Sequence, residues 1–288
     1  MKNKKVTALI RFIPNLLTLI NLSVGVVGII LAFSPYMEYA GFCILFASVF
    51  DYFDGFAARL LNAQSEIGKQ LDSLADAVAF GVLPGIIMYQ LLLMSQGAYF
   101  VPFHERDVVV HSISLLALLI PACSVFRLAK FNVDTEQTVN FRGLPTPAMA
   151  IFVGALPIIL GEQLDFNYYL PLDEVSLANQ IEYRYWDEFD VFVASALQSS
   201  WVLLILIVAL SSLMVSNFTI LSLKLNGFSW KENQWKYTIL GLAALTLLLS
   251  FLPNWIWVPG YPFVEWVAFP LIITELVFLS FLKKVLNK

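Results

Sequence analysis

The chain alternates apolar runs of about twenty residues with short polar breaks, and that rhythm leaves few folds open. A bilayer core is crossed by about 20 mostly apolar helical residues, because each backbone N–H and C=O must be satisfied within the segment. Eight such runs occur, at about 12–33, 38–61, 70–95, 109–128, 146–161, 200–219, 236–252 and 263–282. Residues are 59% hydrophobic and only 13% charged, where a soluble domain carries about 25% charge. A water-soluble globule is excluded. The expected fold is an all-α, polytopic integral membrane helix bundle of about eight spans. The N-terminal apolar run is too long for the core of a cleaved signal peptide and is read as a retained first span. Cys43 and Cys123 lie in apolar runs and are expected as small buried hydrophobes, not a disulfide or metal pair.

Basic residues orient such a bundle, since Lys and Arg stay on the cytoplasmic side. With a cytoplasmic N-terminus, Arg59, Lys69, Arg127, Lys130, Arg142, Lys224, Lys231, Lys236 and the lysines at both chain ends all fall inside. Only Arg106 and Arg184 of the 17 Lys and Arg fall outside. Both termini are therefore expected in the cytoplasm, and Trp255, Trp257 and Tyr261 in the last outer loop. The acidic stretch between the fifth and sixth runs, 162–199, becomes an extracytoplasmic loop, read as a solvated cap. The segment GVLPG (81–85) reads as a helix break.

Against this apolar background, residues 51–81 read DYFDGFAARLLNAQSEIGKQLDSLADAVAFG. Asp51, Asp54, Gly55 and Ala58 are spaced i, i+3, i+4, i+7, one face of a helix, with Arg59 at its edge. Gly68, Asp72 and Asp76 follow at i, i+4, i+8 on a second. The short connection makes the two helices antiparallel neighbours, so four carboxylates converge. Left alone they would repel. Oxygen-only ligands suit a hard cation such as Mg²⁺ or Mn²⁺, and two divalent ions balance four carboxylates. Paired metals about 4 Å apart form the clamp used for displacement at phosphorus. Gly55, Ala58 and Gly68 leave room for a phosphate or nucleotide, and Arg59 offers a planar fork to a diphosphate.

The full pattern is D-x-x-D-G-x-x-A-R, eight residues, then G-x-x-x-D-x-x-x-D. It resembles the signature of the CDP-alcohol phosphatidyltransferase family at every fixed position. The resemblance implies a six-helix membrane core, here with about two added C-terminal spans, usually homodimeric. It implies transfer of a phosphatidyl or phosphoalcohol group from a CDP-linked donor to an alcohol, with release of CMP. Carried over, Asp51, Asp54, Asp72 and Asp76 are ligands of two divalent cations. Asp76 is also the base that deprotonates the acceptor, and Gly55, Ala58, Arg59 and Gly68 are CDP-binding positions.

Three further stretches, IPNLLTLINLSVG (13–25), SVFRLAKFNVD (124–134) and FRGLPTPAMA (141–150), resemble the branch that uses L-serine. The implied substrates are CDP-diacylglycerol and L-serine, met within a lipid bilayer, with no nucleic-acid partner. Asn15, Thr18 and Asn21 share one face of the first span, and Asn15 and Thr18 are expected at the nucleotide. Arg127, Lys130, Asn132, Arg142 and Thr146 are candidates for the serine pocket. The transferase domain is expected over 1–224, with a C-terminal helical pair over 225–288. The likeness points to the cytoplasmic (inner) membrane of a prokaryote, with the active site on the cytoplasmic side. Alternatives are a phosphorylated acceptor, glycerol 3-phosphate or inositol phosphate, and a transporter using intramembrane acids.

Overall fold

The computed structural model describes residues 2–133, 141–163, 188–221, 229–250 and 265–286. Within them, helices satisfy nearly all the backbone, as an apolar surround requires. The N-terminal half holds α1 (Lys2–Ala32), α2 (Met37–Leu60), α3 (Glu66–Ala77), α4 (Leu83–Ser95), α5 (Val108–Leu115) and α6 (Leu119–Val133). The C-terminal half holds α7 (Thr146–Ile158), α8 (Glu188–Leu197), α9 (Ser200–Val215), α10 (Trp230–Ser250) and α11 (Ala268–Leu286). The sheet among the described residues is one pair of two-residue strands: β1 (Phe141–Arg142) runs antiparallel to β2 (Thr219–Ile220), Phe141 opposite Ile220.

Four helical stretches are long and apolar enough to cross a bilayer: Phe12–Ala32, Met37–Leu60, Glu66–Ser95 and Val108–Val133. The protein is an all-α polytopic membrane bundle. Fewer spans qualify than the eight apolar runs suggest. The fifth run forms a shorter apolar helix, Thr146–Glu162. The sixth is α9, which qualifies only together with α8, across a bend of 71°. The seventh and eighth are carried by α10 and α11, with residues 251–264 between them outside those described.

Two expectations are corrected. The stretch 162–199 is not a loop throughout, since α8 occupies 188–197. Its second half, VFVASAL, is apolar and lacks Gly or Pro, so a helix leading into α9 is the cheaper conformation. The GVLPG segment is not a break either. Helix continues through a π-helical turn, Val78–Val82, in which the Leu83 N–H reaches back to the Val78 carbonyl. Pro84 falls in the first turn of α4, where its missing N–H costs little, and the span runs unbroken from Glu66 to Ser95. The glycines there serve packing. A Cβ at Gly85 would lie 2.6 Å from the Pro121 ring, and one at Gly81 3.0 Å from Ser124 Oγ, so α4 and α6 touch closely. Trp255, Trp257, Tyr261, Arg184, Lys224 and residues 164–187 of the acidic stretch lie outside the described residues.

The core centres on α4, which is buried almost all round, as expected of a helix apolar on every face. Leu83, Ile87, Met88, Leu91 and Leu92 are fully enclosed, packed among α1, α2, α6 and α7. The outer helices keep large apolar side chains exposed, among them Ile30, Phe46 and Phe126, a surface suited to lipid. From the C-terminal region, α11 packs on α7 and β2. Trp266 meets Phe42 edge-on at 5.2 Å, and the Leu221 N–H donates to Ser280 Oγ at 3.1 Å. Both cysteines are free, Cys43 buried and Cys123 partly so.

α1 meets the π-helical turn at Gly25. A Cβ there would stand 2.9 Å from both Cα and Cβ of Ala79, a backbone obstacle that no rotamer change relieves. Gly25→Leu is expected to destabilise the protein by about 1–3 kcal/mol, read as a lower unfolding temperature in detergent. It should disturb the aspartate region as well, because α1 carries Thr18 against Asp54 of α2 and Asn21 against Asp76 of α3.

Candidate active site

The site is organised by the connection between α2 and α3. α2 ends in a Schellman closure: the Ala63 N–H donates to the Ala58 carbonyl at 2.9 Å and the Asn62 N–H to Arg59 at 3.3 Å. Asn62 has φ of 49°, the left-handed conformation that such a cap requires and that Asn tolerates better than most residues. Three residues on, Ser65 caps α3 by accepting the Gly68 N–H at 3.0 Å. Two sharp stops so close together fold the helices back on each other and bring their acidic faces into register.

Oxygen atoms of Asp51, Asp72 and Asp76 lie within 4.8 Å of one another. Asp76 is buried and the other two half-buried. Asp54, also buried, is tied to α1, where Thr18 Oγ1 donates to its Oδ2 at 2.6 Å, and it stays within electrostatic reach of the other three. The four aspartates thus divide into a group of three and one that is hydrogen-bonded to the first span. Polar side chains around the trio have unmet capacity. Asp76 Oδ1 is enclosed without a hydrogen-bond partner, as are both amide atoms of Asn21 and the Nε of Arg127. Asn21 lies beside Asp76, and Arg127 stands within its electrostatic reach. Buried polar atoms are nearly always partnered, so this cluster has the donor set and the vacant lone pairs of a divalent-cation site.

Next to the trio opens a cavity of about 660 Å³ whose walls include Asp54 and Asp72. All six residues expected at the nucleotide line it: Asn15 and Thr18 from α1, Gly55, Ala58 and Arg59 from α2, and Gly68 from α3. The space at Gly55 is open, with only the Arg59 guanidinium, at 3.9 Å, near where a Cβ would stand. At Gly68 the space is tight, since a Cβ would sit 3.2 Å from Asn15 Oδ1. Gln64, Ser65, Glu66 and Lys69 also face the cavity. Lys69 was not singled out in the sequence, although its i, i+3 relation to Asp72 puts it on the same flank of α3.

The acceptor candidates are less united. Arg127, Lys130 and Arg142 line one narrow crevice together with Ser216. Lys130 Nζ donates to Asn217 Oδ1 at 3.1 Å. Asn132 instead ties α6 to α3, its Nδ2 donating to Ser73 Oγ at 2.7 Å. Thr146 is buried in the first turn of α7 and lines neither space.

Comparison with known proteins adds an independent finding. The family model described as CDP-alcohol phosphatidyltransferase matches residues 11–181. The chain belongs to the CDP-alcohol phosphatidyltransferase family. It is therefore a membrane transferase of phospholipid biosynthesis. Its relatives include the archaetidylserine synthase of Methanothermobacter thermautotrophicus, 31% identical over 186 residues, covering 64% of this chain and 73% of that protein. The CDP-diacylglycerol–serine O-phosphatidyltransferase of Bacillus subtilis is 35% identical over 149 residues, 52% of this chain and 75% of that one. The enzyme of the same name from Helicobacter pylori is 33% identical over 155 residues, 53% of this chain and 60% of that protein.

A cation seated among these carboxylates binds the folded state alone, so it raises stability by mass action. Adding Mn²⁺ to the purified transferase is expected to raise its unfolding temperature, and Asp76→Ala to remove that rise. An equal rise in the variant would put the metal elsewhere.

Proposed function

We propose that the protein transfers the phosphatidyl group of CDP-diacylglycerol to the hydroxyl of L-serine, giving phosphatidylserine and CMP. The observation that carries this reading is the cavity beside the aspartates, with its six nucleotide positions and its open floor at Gly55. Serine as acceptor is supported by relatives whose names state serine transfer, in an archaeon and in bacteria.

In this reading Asp51, Asp54, Asp72 and Asp76 hold two divalent cations, Mg²⁺ or Mn²⁺. When bound, such ions neutralise the diphosphate and stabilise charge on the phosphoryl oxygens. The chain's own groups do the rest. Arg59 donates to a donor phosphate, and Gly55, Ala58 and Gly68 let the nucleotide approach the helix backbones. Asn15 and Thr18 bound it from α1. The serine Oγ forms a bond to the phosphatidyl phosphorus while the bond to the CMP oxygen breaks. Its proton passes to Asp76, whose Oδ1 is unpartnered. An alcohol needs such a base near neutral pH. Arg127, Lys130 and Arg142 meet the serine carboxylate, while Asn132 holds α6 to α3 beside them.

The same reading takes 1–224 as the transferase unit and 225–288 as an appended helical pair. It takes a homodimer as the working form, in the cytoplasmic membrane, with termini and site facing the cytoplasm. The family match falling inside 1–224 supports the first, and the distribution of Lys and Arg supports the orientation.

The test is CMP release from CDP-diacylglycerol by purified protein, with Mg²⁺ or Mn²⁺ and with each acceptor in turn. Release should require serine and yield phosphatidylserine, and a chelator should abolish it. Release only with glycerol 3-phosphate or inositol phosphate would discard serine and keep the metal site. Asp76→Asn is expected to cut turnover by about 10²-fold or more while the protein still elutes as a folded species. Full activity in that variant would remove Asp76 as the base.

A further inference from the structure

We infer that the protein carries a lipid site away from its catalytic cavity: a groove between α7, α9 and α11 that holds one anionic phospholipid of the surrounding bilayer. The groove measures about 750 Å³, and among the described residues no charged one lines it. Ala209 and Leu213 along α9, with Ser216 just past its end, form one wall, and Ile273, Val277 and Phe281 form the other along α11. Phe278 and Phe281 are 62% and 55% exposed along its length. The nearby acid of α11, Glu275, is turned to α10, where it accepts from Thr246 Oγ1 at 2.8 Å.

Among the described residues, a cation borders the groove at one end. Lys284 continues the α11 wall one turn beyond Phe281, with its Nζ 5.6 Å from the centre of the Phe218 ring, itself part of the groove. An apolar trough with Lys284 at its end has the polarity of a phospholipid, with acyl chain along the trough and an anionic headgroup at the lysine.

Other occupants fit less well. A second copy related by a twofold axis along the bilayer normal would bring its own Lys284 to the same depth, cation facing cation. The CDP-linked donor is assigned to the cavity beside Asp54 and Asp72, which shares no lining residue with the groove. Both α9 and α11 lie beyond residue 181, where the family match stops. A lipid seated here would therefore join the C-terminal helix to the core, whatever acceptor the enzyme uses.

The test uses the full chain, stripped of lipid in detergent, then supplied with phosphatidylglycerol or phosphatidylcholine and weighed intact by native mass spectrometry. One phosphatidylglycerol per chain should be retained in preference to phosphatidylcholine. Lys284→Glu, at an exposed helix end, should reduce that preference about fivefold or more, the factor that one lysine near an anionic headgroup supplies. Ala209→Trp and Thr274→Trp fill the groove from opposite walls and should lower retention of both lipids, with CMP release unchanged. Equal or absent retention of the two lipids by the unaltered protein would overturn the inference, as would an undiminished preference in Lys284→Glu. Displacement of phosphatidylglycerol by CDP-diacylglycerol would identify the groove as a donor site. Dissociation of a dimer by the tryptophan variants, with lipid retention unchanged, would assign the groove to a second copy.

Discussion

Everything at this site depends on how the protein meets carboxylates withdrawn from water. An enclosed carboxylate that lacks a donor or a cation is costly. Here the α2–α3 hairpin encloses several within a few ångströms of each other. One is met by a hydroxyl: Thr18 of α1 donates to Asp54. The others share a region where Asn21 and Arg127 approach with unused hydrogen-bonding atoms. The first and sixth helices are thus drawn to the hairpin by polar need as well as by packing, and the glycines at the α1 contact let that approach happen. Without the hairpin's two caps, at Asn62 and Ser65, the acidic faces would not meet at all.

Much of this was legible in the residues. Spacing of i, i+3 or i+4 places side chains on one helical face whatever the surroundings, so the acidic faces of α2 and α3 could be read directly. The short polar connector could mean only an antiparallel return. The six residues expected at the nucleotide also line one cavity, since small residues and one arginine on those faces leave a hollow when the helices cross. Apolar runs of span length gave the fold class for a related reason: a bilayer permits helices and closed barrels and little else.

What remained hidden depends on how each helix is rotated about its own axis against its neighbours. That rotation sends Asp54 to Thr18, and it turns Asn132 toward Ser73. Neither contact leaves a local signal, because the partners stand 36 and 59 residues apart. The proline in GVLPG gave a misleading signal. Proline interrupts a helix only where its missing N–H and bulky ring cannot be absorbed, and the wider turn just before it absorbs both. Span counting fails similarly at α8 and α9, where an apolar helix of ordinary composition bends sharply near Gln198 and Ser199.

The π-helical turn at Val78–Val82 has one more consequence. Such a turn holds an extra residue relative to α-helical winding, and each residue is worth about 100° of rotation around the axis. The face of α3 that presents Asp72 and Asp76 to the hairpin therefore does not continue straight up α4. It is re-aimed midway, so that α4 can surround itself with core while the same rod shows carboxylates at its lower end. One continuous span thereby carries two independently aimed surfaces, and the chemistry at one end places little constraint on the packing at the other.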